Sequence, residues 1–87
     1  MLLAWTKDAW DEYCYWQSQD KKTLRKINRL LDDMLRNPYS GLGSPEPLKI
    51  NLNGYWSRRI DEKNRIVYTL KENLLLITQC GSHYRDK

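Results

Sequence analysis

The chain has 87 residues, 40% of them apolar, with four Trp and six Tyr but no Phe, and 15 Lys plus Arg against 11 Asp plus Glu. A chain of this size makes a single domain that buries only about 60 to 65% of its unfolded surface, which excludes a second module and leaves little depth for an enclosed pocket. Cys14 and Cys80 are too few and too far apart for a disulfide framework or a zinc site and read as buried thiols in a reducing compartment, while the apolar start Met1–Trp5 is too short for a signal peptide or membrane span; the expected location is the cytoplasm.

In chain order, Leu2 to Trp5 suits a short strand, and Thr6 follows as a helix N-cap, with Asp8, Asp11 and Glu12 favouring the positive end of the helix dipole. Trp10, Tyr13, Cys14 and Gln17 recur with helical spacing, so a first helix runs to about residue 19 with these residues on its apolar face. Asp20 caps a second helix in which Leu24, Ile27, Leu31, Met34 and Leu35 share a face opposite Lys22, Arg25, Lys26 and Arg29, and Asn37-Pro38 ends it. Residues 37–47, NPYSGLGSPEP, hold turn formers without apolar periodicity and form a loop that is either a connector or a site.

From Leu48 onward the period changes to two. Leu48 to Leu52, Tyr55 to Asp61, Arg65 to Leu70 and Leu74 to Cys80 read as strands, with turns at residues 61–64 and 71–73. The expected fold is α+β: one domain with a short N-terminal strand and two helices packed on one face of an antiparallel sheet of about four strands. By parity Trp56, Arg58 and Ile60 point one way and Tyr55, Ser57 and Arg59 the other, so arginines can gather on the face without helices while Arg58 is a packing or partner-contact residue. Trp5, Trp10, Tyr13, Trp16 and Tyr68 are expected in the core. Net charge is −3 over residues 1–20, +4 over residues 21–36 and +3 over residues 44–87, so the basic surface comes from the second helix and the C-terminal half. Such a surface suits phosphates or an acidic protein.

The pieces WDEYCYWQ, INRLLDDMLRNPY, GLGSPEPLK, NLNGYWSRRI, NRIVY and the closing HY, in this order, resemble the YoeB-type toxins of bacterial toxin-antitoxin systems, within the RelE superfamily. The likeness spans residues 1–84, the expected domain, and leaves Arg85-Asp86-Lys87 as a tail. It implies a RelE-like fold and a ribosome-dependent endoribonuclease that cuts messenger RNA in the ribosomal A site without a metal or other cofactor. It places catalytic roles on Glu46, Arg65, His83 and Tyr84, with Lys49 and Arg59 in the basic surface that binds RNA phosphate.

The chemistry of these residues is coherent. Metal-independent RNA cleavage needs a base for the 2′-hydroxyl proton, cations for the charge building on phosphorus and an acid for the departing 5′-oxygen. Glu46, between Pro45 and Pro47, suits the base, although a solvated loop glutamate is the plain alternative. His83, the only histidine, suits the acid, and a frayed terminal residue is its alternative. Arg59 and Arg65 offer planar forks for phosphate oxygens and Lys49 a compact charge; Arg65 paired with Asp61 or Glu62 across the turn is the competing arrangement. Tyr84 stacks on a base or places its hydroxyl near the scissile phosphate, and anchoring of the chain end is its plain alternative. Ser57 has no histidine in a hydrolase motif, which argues against a serine hydrolase.

The resemblance further implies a cognate YefM-like antitoxin whose acidic, partly disordered segment wraps the basic face, the ribosome with its message as target, operator DNA reached only through the antitoxin, and a homodimer. A competing reading keeps the basic surface and drops catalysis: a protein that halts translation by occupying the ribosome.

Overall fold

The computed structural model describes residues 1–49 and 53–81. The elements follow the order β1 (Leu2–Trp5), α1 (Lys7–Gln19), α2 (Lys21–Arg36), β2 (Glu46–Pro47), β3 (Tyr55–Arg59), β4 (Arg65–Lys71) and β5 (Leu74–Gly81). The strands form one sheet in the order β1-β5-β4-β3-β2. β1 lies parallel to β5, and every other pairing is antiparallel. The two helices therefore carry the chain over one face of the sheet from one edge to the other. The α+β class is as expected, but the sheet is mixed and has five strands. An edge strand forms at Glu46–Pro47, ahead of the one expected over residues 48–52, with Glu46 facing Ser57 and Pro47 facing Trp56. The Leu48 amide extends this pairing by donating to the Tyr55 carbonyl at 2.8 Å, and residues 50–52 lie outside the described residues.

Asp20 separates the helices. Its extended backbone, φ −157° and ψ 101°, stops α1, while its carboxylate accepts the amides of Lys22 and Thr23 and the Thr23 hydroxyl at 2.7 Å, opening α2. Thr6 caps α1 likewise, accepting from the Ala9 amide. On α2, Ile27, Leu30, Leu31 and Met34 are buried at the spacing of one helical face. They pack with Ile66, Tyr68, Leu75, Ile77 and Cys80 from the facing side of the sheet. The strand registers Arg58↔Ile66, Trp56↔Tyr68, Ile66↔Cys80 and Tyr68↔Ile77 put these side chains on one face. An irregularity between Val67 and Tyr68 keeps the apolar side of β5 aligned with that of β4.

α1 departs from the expected face. Only Ala9 on it is fully buried, with Tyr13 and Trp16 partly so, whereas Trp10 is 45% exposed and Cys14 is exposed. The helix is turned by about one residue position because polar contacts to β5 set its phase. Glu12 Oε1 accepts the Cys80 amide at 2.6 Å and Trp16 Nε1 donates to the Cys80 carbonyl at 3.0 Å. Ala9 lets the helix approach closely, and Trp10 is left in a partly exposed aromatic cluster with Trp5 and Tyr13. Of the two thiols expected to be buried only Cys80 is, and burial pushes its pKa up to about 12, so it is not a nucleophile at neutral pH. Among the described residues no helix is long and apolar enough to cross a membrane.

Two measurements check this account. Leu30, 1% exposed at the centre of the helix-sheet contact, should cost about 2 to 5 kcal/mol on replacement by Ala, read from urea unfolding at constant m-value. The Asp20 carboxyl is held below the usual range chiefly by the Thr23 hydroxyl, so its contribution is present above the unfolded carboxyl value of about 3.9 and is lost as pH falls through the lower folded value. Asp20→Ala should accordingly lower the melting temperature clearly at pH 7 and much less at pH 2.

Candidate nucleic-acid interface

The helix-free face of the sheet carries the other parity of every strand: Tyr55, Ser57 and Arg59 of β3, and Arg65, Val67 and Thr69 of β4. Arg59 and Arg65 are directly opposite one another. Glu46 stands opposite Ser57, one pleat repeat along β3 from Arg59, or about 7 Å by ordinary strand geometry. Three of the expected site residues, Glu46, Arg59 and Arg65, are thus on one surface. Lys49 is exposed just past β2. His83 and Tyr84 lie outside the described residues; Gly81, opposite Arg65, precedes His83 by two positions in the sequence.

Among the described residues, the side chains of Glu46, Lys49, Arg59 and Arg65 have no hydrogen-bonded or ion-paired partner. The competing arrangement for Arg65 is not adopted: Asp61 instead accepts from the amides of Lys63 and Asn64 and from Asn64 Nδ2, closing its own turn. Two guanidiniums opposite each other across a ladder repel. With no carboxylate between them, they form a ready seat for an anion with oxygens to spare for both forks. Ser57 adds a feature that residue type alone did not signal. Its hydroxyl is 1% exposed and is the one buried side-chain polar atom among the described residues without a partner. Opposite Glu46, it is a donor left without an acceptor among the described residues.

The position of Glu46 follows from the loop before it. Residues 37–44 wrap around the Arg58 side chain, which points to the helix side of the sheet and is fully buried. Its Nε donates to the Tyr68 hydroxyl at 3.1 Å, Nη1 to Asp33 Oδ2 at 2.6 Å and to the Leu42 carbonyl at 3.1 Å, and Nη2 to the carbonyls of Asn37 and Ser40. The Tyr68 hydroxyl in turn donates to the Pro38 carbonyl at 2.7 Å, and burial holds the phenol above its usual pKa, protonated as this bond requires. Asp33 also accepts the Leu42 amide. The Arg58 hydrogen bond, followed by that of Leu42, keeps the Asp33 carboxyl below the usual range.

Two glycines fit the loop to this cluster. At Gly41, φ +117°, a Cβ would stand 2.1 Å from Asp33 Oδ2; at Gly43, φ +79°, it would stand 2.8 Å from Leu30 Cδ2. Gly43 then accepts the Arg59 amide at 2.7 Å, joining the loop to β3 just before Ser44, Pro45 and Glu46. Arg58 is therefore a packing residue, as parity indicated, but one whose partners are mostly backbone carbonyls. A separate cleft of about 670 Å³ lies between α1 and the end of β5, with Glu12, Tyr15, Trp16, Lys63 and Asn64 among its lining; neither Glu46 nor Arg65 is among the described residues that line it.

Comparison with known proteins places the fold and sequence in a family. Residues 5–84 match the family model described as the YoeB-like toxin of bacterial type II toxin-antitoxin systems. The chain is 51% identical over 84 residues to the toxin YoeB of Escherichia coli K12, covering 97% of this chain and 100% of that one. A YoeB/ParE toxin from Agrobacterium tumefaciens superposes with a TM-score of 0.92 at 45% identity, covering 97% of this chain and 100% of that one. Two Staphylococcus aureus structures, a YoeB dimer and a heterotetrameric YoeB-YefM toxin-antitoxin complex, each give a TM-score of 0.88 at 44% identity over 97% of this chain, covering 98% and 99% of theirs. With near-complete coverage, about half the residues identical to a curated relative and the same fold, this chain belongs to the YoeB-like toxin family of bacterial type II toxin-antitoxin systems.

Proposed function

We propose that this toxin is a ribosome-dependent endoribonuclease that cuts messenger RNA in the ribosomal A site by metal-independent acid-base catalysis. The observation that carries the reading is the unpaired Arg59–Arg65 couple beside Glu46 on the helix-free face, an arrangement that costs the free protein stability and suits a phosphodiester. Glu46 takes the proton of the 2′-hydroxyl, whose oxygen attacks the adjacent phosphorus. Arg59, Arg65 and Lys49 hold the phosphorane oxygens as negative charge builds. His83 gives its proton to the departing 5′-oxygen, and Tyr84 stacks on a neighbouring base. The products are a 2′,3′-cyclic phosphate upstream and a 5′-hydroxyl downstream.

An open sheet face cannot by itself hold a flexible strand with its 2′-oxygen in line with the scissile bond. A codon fixed on the ribosome supplies that orientation, a contribution worth several orders of magnitude in rate. The unpaired cations also favour an antitoxin that brings its own carboxylates. A YefM-like acidic segment laid over Lys49, Arg59 and Arg65 would neutralise them and block RNA; that the partner is YefM-like is supported by the YoeB-YefM complex of the S. aureus relative. Operator DNA is reached through that antitoxin. The dimer of another S. aureus relative makes self-association of this chain part of the proposal, and the reaction places the protein in the cytoplasm, where translating ribosomes are.

On programmed ribosomes, Arg65→Ala should lower the single-turnover cleavage rate by about 10² to 10³ while ribosome binding persists. Chelating agents that leave the ribosome intact should not change the wild-type rate. Deoxyribose at the nucleotide upstream of the cut should abolish cleavage, since the nucleophile is gone; a cut that persists would remove this mechanism. Halted translation with intact message ends after brief induction would favour simple occupancy of the ribosome.

A further inference from the structure

The Arg58 side chain is spent on a part of the chain that has almost no core of its own. A guanidinium has five N–H groups, and in this protein each has an acceptor: the Tyr68 hydroxyl, Asp33 Oδ2 and the carbonyls of Leu42, Asn37 and Ser40. Three of those acceptors belong to the backbone of a single eight-residue stretch, 37–44. A fourth carbonyl of that stretch, on Pro38, is held by Tyr68, which itself accepts from Arg58. Loop segments ordinarily satisfy such carbonyls with water and stay adaptable. This loop turns them inward, and its exposed side chains Tyr39 and Leu42 add little burial of their own.

What the loop leads to is the carboxylate of the proposed base. After Gly43 is tied to the Arg59 amide, Ser44 takes a left-handed conformation, φ 52°, that a residue before proline seldom adopts. Pro45 and Pro47 fix the backbone on both sides of Glu46, and β2 is only two residues long. So short an edge strand has few ladder hydrogen bonds with which to hold its register. The Leu48 amide continues the pairing past Pro47, and from upstream the loop and its buried cation fix the backbone that brings Glu46 opposite Ser57.

We propose that Arg58 is a positioning residue for catalysis: by fixing loop 37–44 it holds the Glu46 carboxylate opposite Ser57 and beside the Arg59–Arg65 pair. The proposal rests on the reading of Glu46 as general base. Lysine cannot replace the arginine, because an ammonium has three donors on a single atom and cannot reach five acceptors arranged around a planar fork. A displacement of about an ångström at the base is enough to cost about 100-fold in rate.

The test is a double-mutant cycle in single-turnover cleavage of ribosome-bound message, with Arg58→Lys, Tyr68→Phe, Glu46→Ala and the two doubles with Glu46→Ala. Arg58→Lys should lower the chemical rate by about 100-fold at saturating ribosomes, with ribosome affinity unchanged. Tyr68→Phe, which keeps the ring in the core and removes only the hydroxyl, should lower it by about tenfold. Neither change should slow Glu46→Ala further. Equal losses in the presence and absence of Glu46 would overturn the positioning role, because Arg58 would then be acting on the whole fold. Should Arg58→Lys fail to fold by circular dichroism, Tyr68→Phe decides: a folded variant with the full wild-type rate would overturn the proposal. A wild-type rate for Glu46→Ala would instead remove the base assignment, a failure distinct from additive losses in the cycle.

Discussion

A guanidinium removed from water is tolerated only where each of its donors is used and its charge is answered, since an unpaired buried cation costs several kcal/mol even after relaxation. Arg58 meets both conditions with one carboxylate, one phenol and three backbone carbonyls. The same bonds fix the C-terminal end of α2 through Asp33, the centre of β4 through Tyr68 and the loop through Asn37, Ser40 and Leu42. These parts are distant in sequence, and apolar packing alone would leave the loop uncommitted. Replacing such a cluster by apolar side chains of equal volume could preserve or raise stability. It would not supply the loop's inward carbonyls with donors, so the fold of residues 37–44 and the buried arginine depend on each other.

The sheet divides its work by parity. On the helix side, apolar side chains from α2, β4 and β5 make the core, and Arg58 joins them because its charge is neutralised internally. On the other side Arg59 and Arg65 face each other with no ion-pair partner among the described residues. In a domain this small, where total stability is on the order of 5 to 10 kcal/mol, like charges opposed on a ladder are a real penalty. Adjacent arginines in the sequence thus have opposite fates, one made inert by its partners and one kept available for an anion.

The parts of this arrangement that follow from periodicity could be read from residues. The apolar face of α2, the two helix caps at Thr6 and Asp20 and the alternation in β3 and β4 each have a local physical cause, and the structure has them. The phase of α1 could not be read, because it is set by Glu12 and Trp16 reaching the backbone of Cys80, far away in sequence, and not by the apolar spacing of Trp10 and Cys14. The parallel pairing of β1 with β5 and the placement of β2 at Glu46–Pro47 are likewise long-range outcomes. Among the site residues, parity put Arg59 and Arg65 on the open face, while Glu46 stood out only through family resemblance, since a glutamate between prolines is ordinary in a loop. The unpartnered hydroxyl of Ser57 and the acceptors of Arg58 had no signature, because one is defined by what is missing around it and the other by carbonyls that every residue carries.

The placement of the proposed base at the edge of the sheet has a consequence for how such a surface can be both ordered and accessible. A carboxylate on a central strand would be held well by ladder bonds on both sides but would be crowded by neighbours on the same face. At the edge it is open to a bulky polyanion, and the ladder there is weakest, limited in β2 to two residues. Order must then come from outside the sheet. The buried cluster around Arg58 lies on the opposite face from the arginine pair, so it can fix the backbone leading to Glu46 without occupying any of the surface that RNA would use. Rigidity and access are reconciled because the strand between them, β3, places alternate side chains on the two faces: Arg58 behind the sheet, Ser57 and Arg59 in front.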